Sequence, residues 1–183
     1  MKTFIFAPSQ GKKEETALYN TTDGVWIQEN NTKSLAKCYN KAIDFAIKEN
    51  IDNLILVHDD VILENYSEEK VEALLQKFDI VGVAGTTQVK LQNPALWHIM
   101  GGGFGSGNLH GAESKEFEEI RFDESCPSKW HLYDLDYSMQ CYKAGFKLGV
   151  GDILITHQSP GLSEVTEEFK RGSEWFLNKW KTK

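Results

Sequence analysis

The chain has 183 residues, 40% of them hydrophobic and 26% charged, with a formal net charge of −7. That size and balance describe a single globular domain, residues 1–183, with a core of its own, and exclude a fibrous or disordered chain. The acidic balance, with no Lys/Arg cluster interleaved with aromatics, argues against nucleic acid, whose phosphates require a basic surface.

Cys38, Cys126 and Cys141 are odd in number and lack CxxC spacing. Neither a disulfide framework nor a zinc site is expected, and a reducing, cytoplasmic setting fits. The opening apolar run before Pro8 is too short for a signal segment, and no later run approaches a membrane span.

Residues 3–7 read as a first strand, stopped by Pro8, and 25–27 as a second that ends in Gln28, Glu29, Asn30 and Asn31. A helix is predicted over 33–48. Leu35, Tyr39, Ala42, Ile43 and Ala46 recur there on one face, and Asn31 or Thr32 is the expected cap. Next, Leu54-Ile55-Leu56-Val57 reads as a strand buried on both faces and runs straight into His58-Asp59-Asp60. Carboxylates at that end of a strand lie where α/β sheets bind ligands. An adjacent pair suits a hard divalent cation; a polar turn that ends the strand is the plainer alternative. A second helix over 67–78 and a strand over 80–84 complete a β-α-β-α-β alternation, which predicts an α/β fold with a mostly parallel sheet.

Between 85 and 130 the glycine-rich run Met100-Gly101-Gly102-Gly103-Phe104-Gly105-Ser106-Gly107 matches no phosphate-binding motif and reads as a loop. Residues 129–144 read as a loop entering a helix, with Gly145 just past its end. Asp136 is expected there as a helix-start carboxylate favoured by the dipole. Short strands over 147–150 and 153–156 lead to a turn at His157. Ser163 is the expected cap of a last helix reaching Trp180, with Gly172 as its weak point. That helix carries Phe169, Trp175, Phe176 and Trp180 beside Lys170, Arg171, Lys179, Lys181 and Lys183. Packing onto the domain is the expected use; peripheral contact with an anionic membrane surface is the alternative.

Several of these runs, taken in order, resemble a known family. Ser34-Leu35-Ala36-Lys37-Cys38-Tyr39-Asn40-Lys41-Ala42 followed by Leu54-Ile55-Leu56-Val57-His58-Asp59-Asp60-Val61 is similar to the first half of a GT-A glycosyltransferase, where a helix bearing an Asn precedes a strand ending in the DxD motif. Phe122-Asp123-Glu124, Trp130 to Ser138, Ala144-Gly145-Phe146-Lys147 and Ile155 to Gly161 are similar to the second half. The nearest flavour is the family-2-type, inverting branch, with an HDD variant of DxD.

The resemblance implies a GT-A (Rossmann-like) three-layer sandwich, a mostly parallel central sheet with helices on both faces. Residues 1–84 would be the nucleotide-sugar-binding half, 85–162 the acceptor and catalytic half, and 163–183 a C-terminal helix. Asp60 and His157 match the ligands of Mn²⁺ or Mg²⁺, and an imidazole ligand tilts the preference to Mn²⁺. Asp59 matches a position near the ribose or sugar, while Pro8, Glu29 and Asn30 fall where the nucleotide is contacted. Asp134 matches the general base that takes the acceptor's proton. His58 stands where the first Asp is usual, and Tyr133 where Glu is usual; Trp97, Trp130 and His58 are candidates to meet the sugar. The implied partners are a nucleotide-sugar donor and a saccharide or other hydroxyl acceptor. Two alternatives stand beside this reading: a non-catalytic nucleotide-sugar or partner-binding module on the same scaffold, and a His-Asp metal phosphohydrolase suggested by His58-Asp59.

Overall fold

The computed structural model describes residues 2–83, 110–113, 120–158 and 165–181. Strand β1 (Thr3–Pro8) lies between β2 (Val25–Gln28) and β3 (Asn53–Leu56), parallel to both. Beyond β3 come β6 (His110–Glu113), antiparallel to its neighbours, then β5 (Ile80–Gly82) and β7 (Leu148–Val150), which are parallel to each other. The six-stranded order is β2-β1-β3-β6-β5-β7. One antiparallel strand in an otherwise parallel sheet makes the protein α/β, as the alternation of elements predicts.

Strand side chains alternate between two cores, as a period of two requires. Phe4, Phe6, Leu54, Leu56 and Ile80 face a layer built by α2 (Leu35–Lys48) and α4 (Tyr133–Ala144). Ile5, Ala7, Ile55, Val57 and Val81 face α1 (Ala17–Thr21) and α3 (Glu68–Leu75), which contribute Leu18, Val71 and Leu75. Helices therefore cover both faces, which is why the strands read as unbroken apolar runs.

In α2 the five residues of the predicted face are all buried. Its cap is Ser34, whose Oγ accepts from Lys37 N–H at 3.4 Å, and not Asn31 or Thr32. Asn31 is drawn inward instead: its Oδ1 accepts from Lys33 N–H at 2.9 Å and from the Cys38 thiol at 3.2 Å. On the same helix, Asn40 works as a clamp. It accepts from Phe122 N–H and donates to Phe122 C=O, both at 2.9 Å, and so holds the segment that leads into α4.

The predicted helix over 67–78 is shorter, Glu68–Leu75, with Ser67 as its cap. Two strands are not expected from the sequence, β6 in the central sheet and a second outside it. After the turn at 58–60 the chain forms β4 (Val61–Leu63), which pairs antiparallel with β8 (Ile155–His157) in a separate two-stranded sheet. Its three residues are too short a run to register as a period.

Helix α5 (Glu167–Trp180) starts at Thr166, whose hydroxyl accepts from Phe169 N–H at 3.2 Å, rather than at Ser163. Its apolar side is turned to the domain: Phe169, Phe176 and Trp180 are buried, the last two with Leu132. Gly172 is a packing requirement and not a weak point. A Cβ there would stand 2.9 Å from Ser128 Cβ and 3.1 Å from Leu132 Cδ1.

Asp136 stands in the first turn of α4, as expected of a helix-start carboxylate. It is fully buried, its carboxylate taken by Trp180 Nε1–H at 2.9 Å, Gln140 Nε2–H at 2.8 Å and the Lys179 ammonium at 2.8 Å. What its position in the helix does not reveal is the burial: α5 returns across that face and encloses it. The three cysteines are free and buried. No described helix is long and apolar enough to cross a membrane.

Candidate functional site

The parallel strands β1, β2 and β3 end at one edge of the sheet with Pro8, Gln28 and Leu56. The loops beyond β1 and β2 are stitched together there. Ser9 C=O accepts from Asn31 N–H at 2.7 Å, Gly11 C=O from Asn30 N–H at 3.1 Å, and Glu29 Oε1 from Lys13 N–H at 2.8 Å. Asn30 takes a left-handed conformation, φ 51°, which asparagine tolerates better than most residues. Thus Pro8, Glu29 and Asn30 border one loop cluster, with the Glu29 carboxylate already serving the loop as an acceptor.

At the same edge Val57 follows β3, and the chain turns through His58, Asp59 and Asp60. Asp59 C=O accepts from Leu18 N–H at 3.1 Å, which pins the turn to α1. The β4–β8 ladder then sets Val61 opposite His157, and Gln158 N–H bonds to Asp60 C=O at 2.9 Å. That register brings together two residues 97 positions apart in sequence: His157 Nε2 lies 3.0 Å from Asp60 Oδ1. His58 joins them, its ring centroid 5.7 Å from that of His157. One ligating atom from each of His58, Asp60 and His157 falls within 4.8 Å of the other two.

The Asp60–His157 contact has the length of a hydrogen bond but not its direction. Both atoms are shut off from solvent, and neither has an aligned partner. A buried polar atom left so is costly. Two such atoms converging from a carboxylate and an imidazole are donors that could hold a divalent cation, and a third donor, His58, stands within reach. The residues fit a metal. With two imidazoles and one carboxylate they favour Mn²⁺ over the oxygen-seeking Mg²⁺.

Electrostatics separate the two histidines. Burial pushes His58 below the ordinary imidazole value, so it is neutral at pH 7. The adjacent Asp60 carboxylate outweighs burial at His157 and holds it above that value. Burial alone would raise the Asp60 carboxyl, but the His157 imidazole beside it reverses this, and the net shift is downward.

Across from the turn, α4 begins. Its cap residue is Leu132, which has φ 67° and no capping side chain. Left-handed backbone at a leucine is held only where packing over-determines it; here Leu132 is buried against Phe176 and Trp180. Tyr133 and Asp134 follow as the first two helical residues. The Tyr133 hydroxyl lies 2.6 Å from His58 Nε2. Asp134 is half-buried, and its charge is felt at His58, Tyr39 and His131.

Of the residues singled out from sequence, His58, Asp60 and His157 meet directly, and Asp59 and Asp134 lie within electrostatic reach of His58. Trp130 is half-buried and packs against the core cluster under α2 and α4. Trp97 and the glycine-rich run lie outside the described residues. Sequence reasoning missed the role of Tyr133; its one available signal was a tyrosine immediately before Asp134 where the resemblance expects a glutamate.

No family model matches the chain, and no curated protein does. Among solved structures it is similar to A197 from STIV, at 14% identity and a TM-score of 0.56, over 87% of this chain and 86% of that one. A likeness at that identity bears on the fold alone, and it agrees with an α/β chain.

Proposed function

We propose that the protein is a metal-dependent glycosyltransferase of GT-A type, moving a sugar from a nucleoside diphosphate donor to an acceptor hydroxyl with inversion. One observation carries the reading: Asp60 Oδ1 and His157 Nε2 are turned on each other at 3.0 Å, closed to solvent and without aligned partners. These are the two residues that the resemblance assigns to the metal. A strand-end turn at the carboxyl edge of the sheet, with an acidic helix start opposite, supports it further.

Asp60, His157 and His58 would hold the cation. When bound, a divalent ion neutralises the charge that develops on the departing diphosphate. Asp59, Pro8, Glu29 and Asn30 border the space for the ribose and base, and Trp130 is the described candidate to meet the sugar. Asp134 serves as general base. The acceptor oxygen attacks the anomeric carbon from the face opposite the diphosphate, the bond to the diphosphate breaks, and the hydroxyl proton passes to the Asp134 carboxylate. The proton moves readily because the hydroxyl becomes acidic as its bond to carbon forms.

The test is a thermal-shift series with uridine and guanosine diphosphates, with and without Mn²⁺, followed by transfer assays on Asp134→Asn. A nucleotide at ~100 times its dissociation constant adds about 2.7 kcal/mol. The expected outcome is stabilisation by nucleotide only with the metal, and a ~10²–10⁴-fold loss of transfer in Asp134→Asn at unchanged donor affinity. Stabilisation that persists in EDTA removes the metal. Metal-dependent donor binding without transfer or donor hydrolysis leaves a non-catalytic binding module.

A further inference from the structure

Behind the cluster lies a buried chain of hydroxyl groups with a fixed direction. Tyr39 is fully buried on α2, and its hydroxyl donates to Val57 C=O at 3.2 Å. The same hydroxyl is hydrogen-bonded to that of Tyr133, which is 2% exposed and reaches His58 Nε2 at 2.6 Å. The run therefore goes Val57 C=O, Tyr39, Tyr133, His58.

Counting hydrogens fixes who donates at each link. A carbonyl only accepts, so the single Tyr39 hydrogen is committed to Val57. Toward Tyr133 the Tyr39 oxygen can then only accept, and the Tyr133 hydrogen is used there. Toward His58 the Tyr133 oxygen can in turn only accept, so Nε2 must carry the proton. In a neutral imidazole that leaves the lone pair on Nδ1.

We infer that Tyr39 and Tyr133 are positioning residues that lock His58 as its Nε2–H tautomer, so that Nδ1 is the atom it offers to the cation beside Asp60 and His157. This deepens the metal reading of the cluster and rests on it. A ligating histidine commonly donates its second ring N–H to an acceptor that sets tautomer and ring angle. Tyrosine does that here without adding a charge, where a glutamate would add one. It also explains a tyrosine, rather than a carboxylate, at the first position of α4.

The direct test is two-bond ¹⁵N–¹H correlation of the histidine rings in the metal-free protein at pH 8. There are 5 histidines, and His58→Gln identifies the His58 pattern by difference. Wild type should show His58 protonated at Nε2 and bare at Nδ1. Tyr39→Phe frees the Tyr133 hydrogen to donate to Nε2, so the His58 pattern should move toward the Nδ1–H tautomer. Tyr133→Phe should lose the preference and weaken Mn²⁺ binding ~10–100-fold by calorimetry, the usual cost of removing an outer partner of a ligand. Circular dichroism and melting confirm that each variant is folded, and with two variants the conclusion does not hang on either one.

An Nδ1–H tautomer in wild type overturns the inference, as does a pattern indifferent to Tyr39→Phe or a Mn²⁺ affinity indifferent to Tyr133→Phe. The two levels fail separately. The wrong tautomer with intact Mn²⁺ binding sinks the relay alone. The right tautomer in a protein that binds no Mn²⁺ sinks the metal role and the proposed function with it.

Discussion

Two carboxylates in this protein each hold an oxygen shut off from solvent beside a cationic or basic partner, and the surroundings of those oxygens differ. At Asp136, both oxygens are met by aligned donors from Trp180, Gln140 and Lys179, and Lys179 is shared with Asp123 at 2.6 Å. At Asp60, the inner oxygen faces His157 at hydrogen-bond distance with no aligned partner. Burial raises the Asp136 carboxyl, and Lys179 and Trp180 only partly offset this, so its environment serves packing. At the Asp60 carboxyl burial also pushes upward, but the neighbouring His157 imidazole prevails and the net shift is downward. A satisfied carboxylate holds elements together; a sheltered oxygen without an aligned partner calls for another account, which the proposed function supplies as a cation.

Three experiments can break that contrast. The largest effect belongs to Asp136→Ala, which strips three donors of their acceptor and releases α5 from α4. Removing one partner of a buried charge pair costs about 3–5 kcal/mol, read as a lowered urea midpoint with the slope unchanged. A loss under about 1 kcal/mol would mean that α5 is held by its apolar face alone.

Asp60→Ala is the mirror image. A half-exposed pair of this kind contributes about 0–1 kcal/mol to stability, so the melting temperature should scarcely move while Mn²⁺ affinity falls at least ~100-fold. If the stability drops as far as in Asp136→Ala, the Asp60 turn is structural and the contrast between the two carboxylates disappears.

The third and smallest effect is in pH. Metal needs the neutral imidazole, and His157 in the metal-free protein titrates above the ordinary imidazole value. Mn²⁺ affinity should therefore start to fall at a higher pH than an ordinary histidine would cause, by about tenfold per unit once His157 is protonated. His58, shifted downward, adds nothing in that range. Metal-free stability should run the other way. A raised imidazole stabilises the fold below its unfolded pKa, and that contribution is lost as pH climbs through the folded value. Parallel calorimetry and melts between pH 5.5 and 8 would show the two trends crossing; a flat Mn²⁺ profile removes His157 from the ligand set.

Much of this was legible in the sequence. Leu54 to Val57 announces a strand buried on both sides, and the apolar stripe from Leu35 to Ala46 announces the helix covering it, because both depend on local periodicity. His58, Asp59 and Asp60 could be placed at the sheet's carboxyl edge for the same reason. The meeting of Asp60 with His157 depends on a three-residue ladder, too short to leave a pattern. Tyr133 and Asp136 were hidden for another reason. Their roles are decided by what packs over them from α2 and α5, and a residue's own position in a helix carries no record of that. The shifts of cap to Ser34 and Thr166 are of the same kind, since several nearby Ser, Thr and Asn residues offered equivalent oxygens.

Leu132 has a consequence beyond the start of a helix. Each residue along a helix turns about 100°, so entering α4 one position earlier or later would swing Tyr133 and Asp134 off the strand-end turn altogether. The phase of that helix is set at a leucine whose φ is 67°, a backbone state that costs about 1–2 kcal/mol in an L-residue. The side chain of that leucine is gripped by Phe176 and Trp180. Helix α5 thus acts as a vernier on the site: the contacts it makes with Leu132 decide the angle at which Asp134 and a histidine's hydroxyl partner are presented.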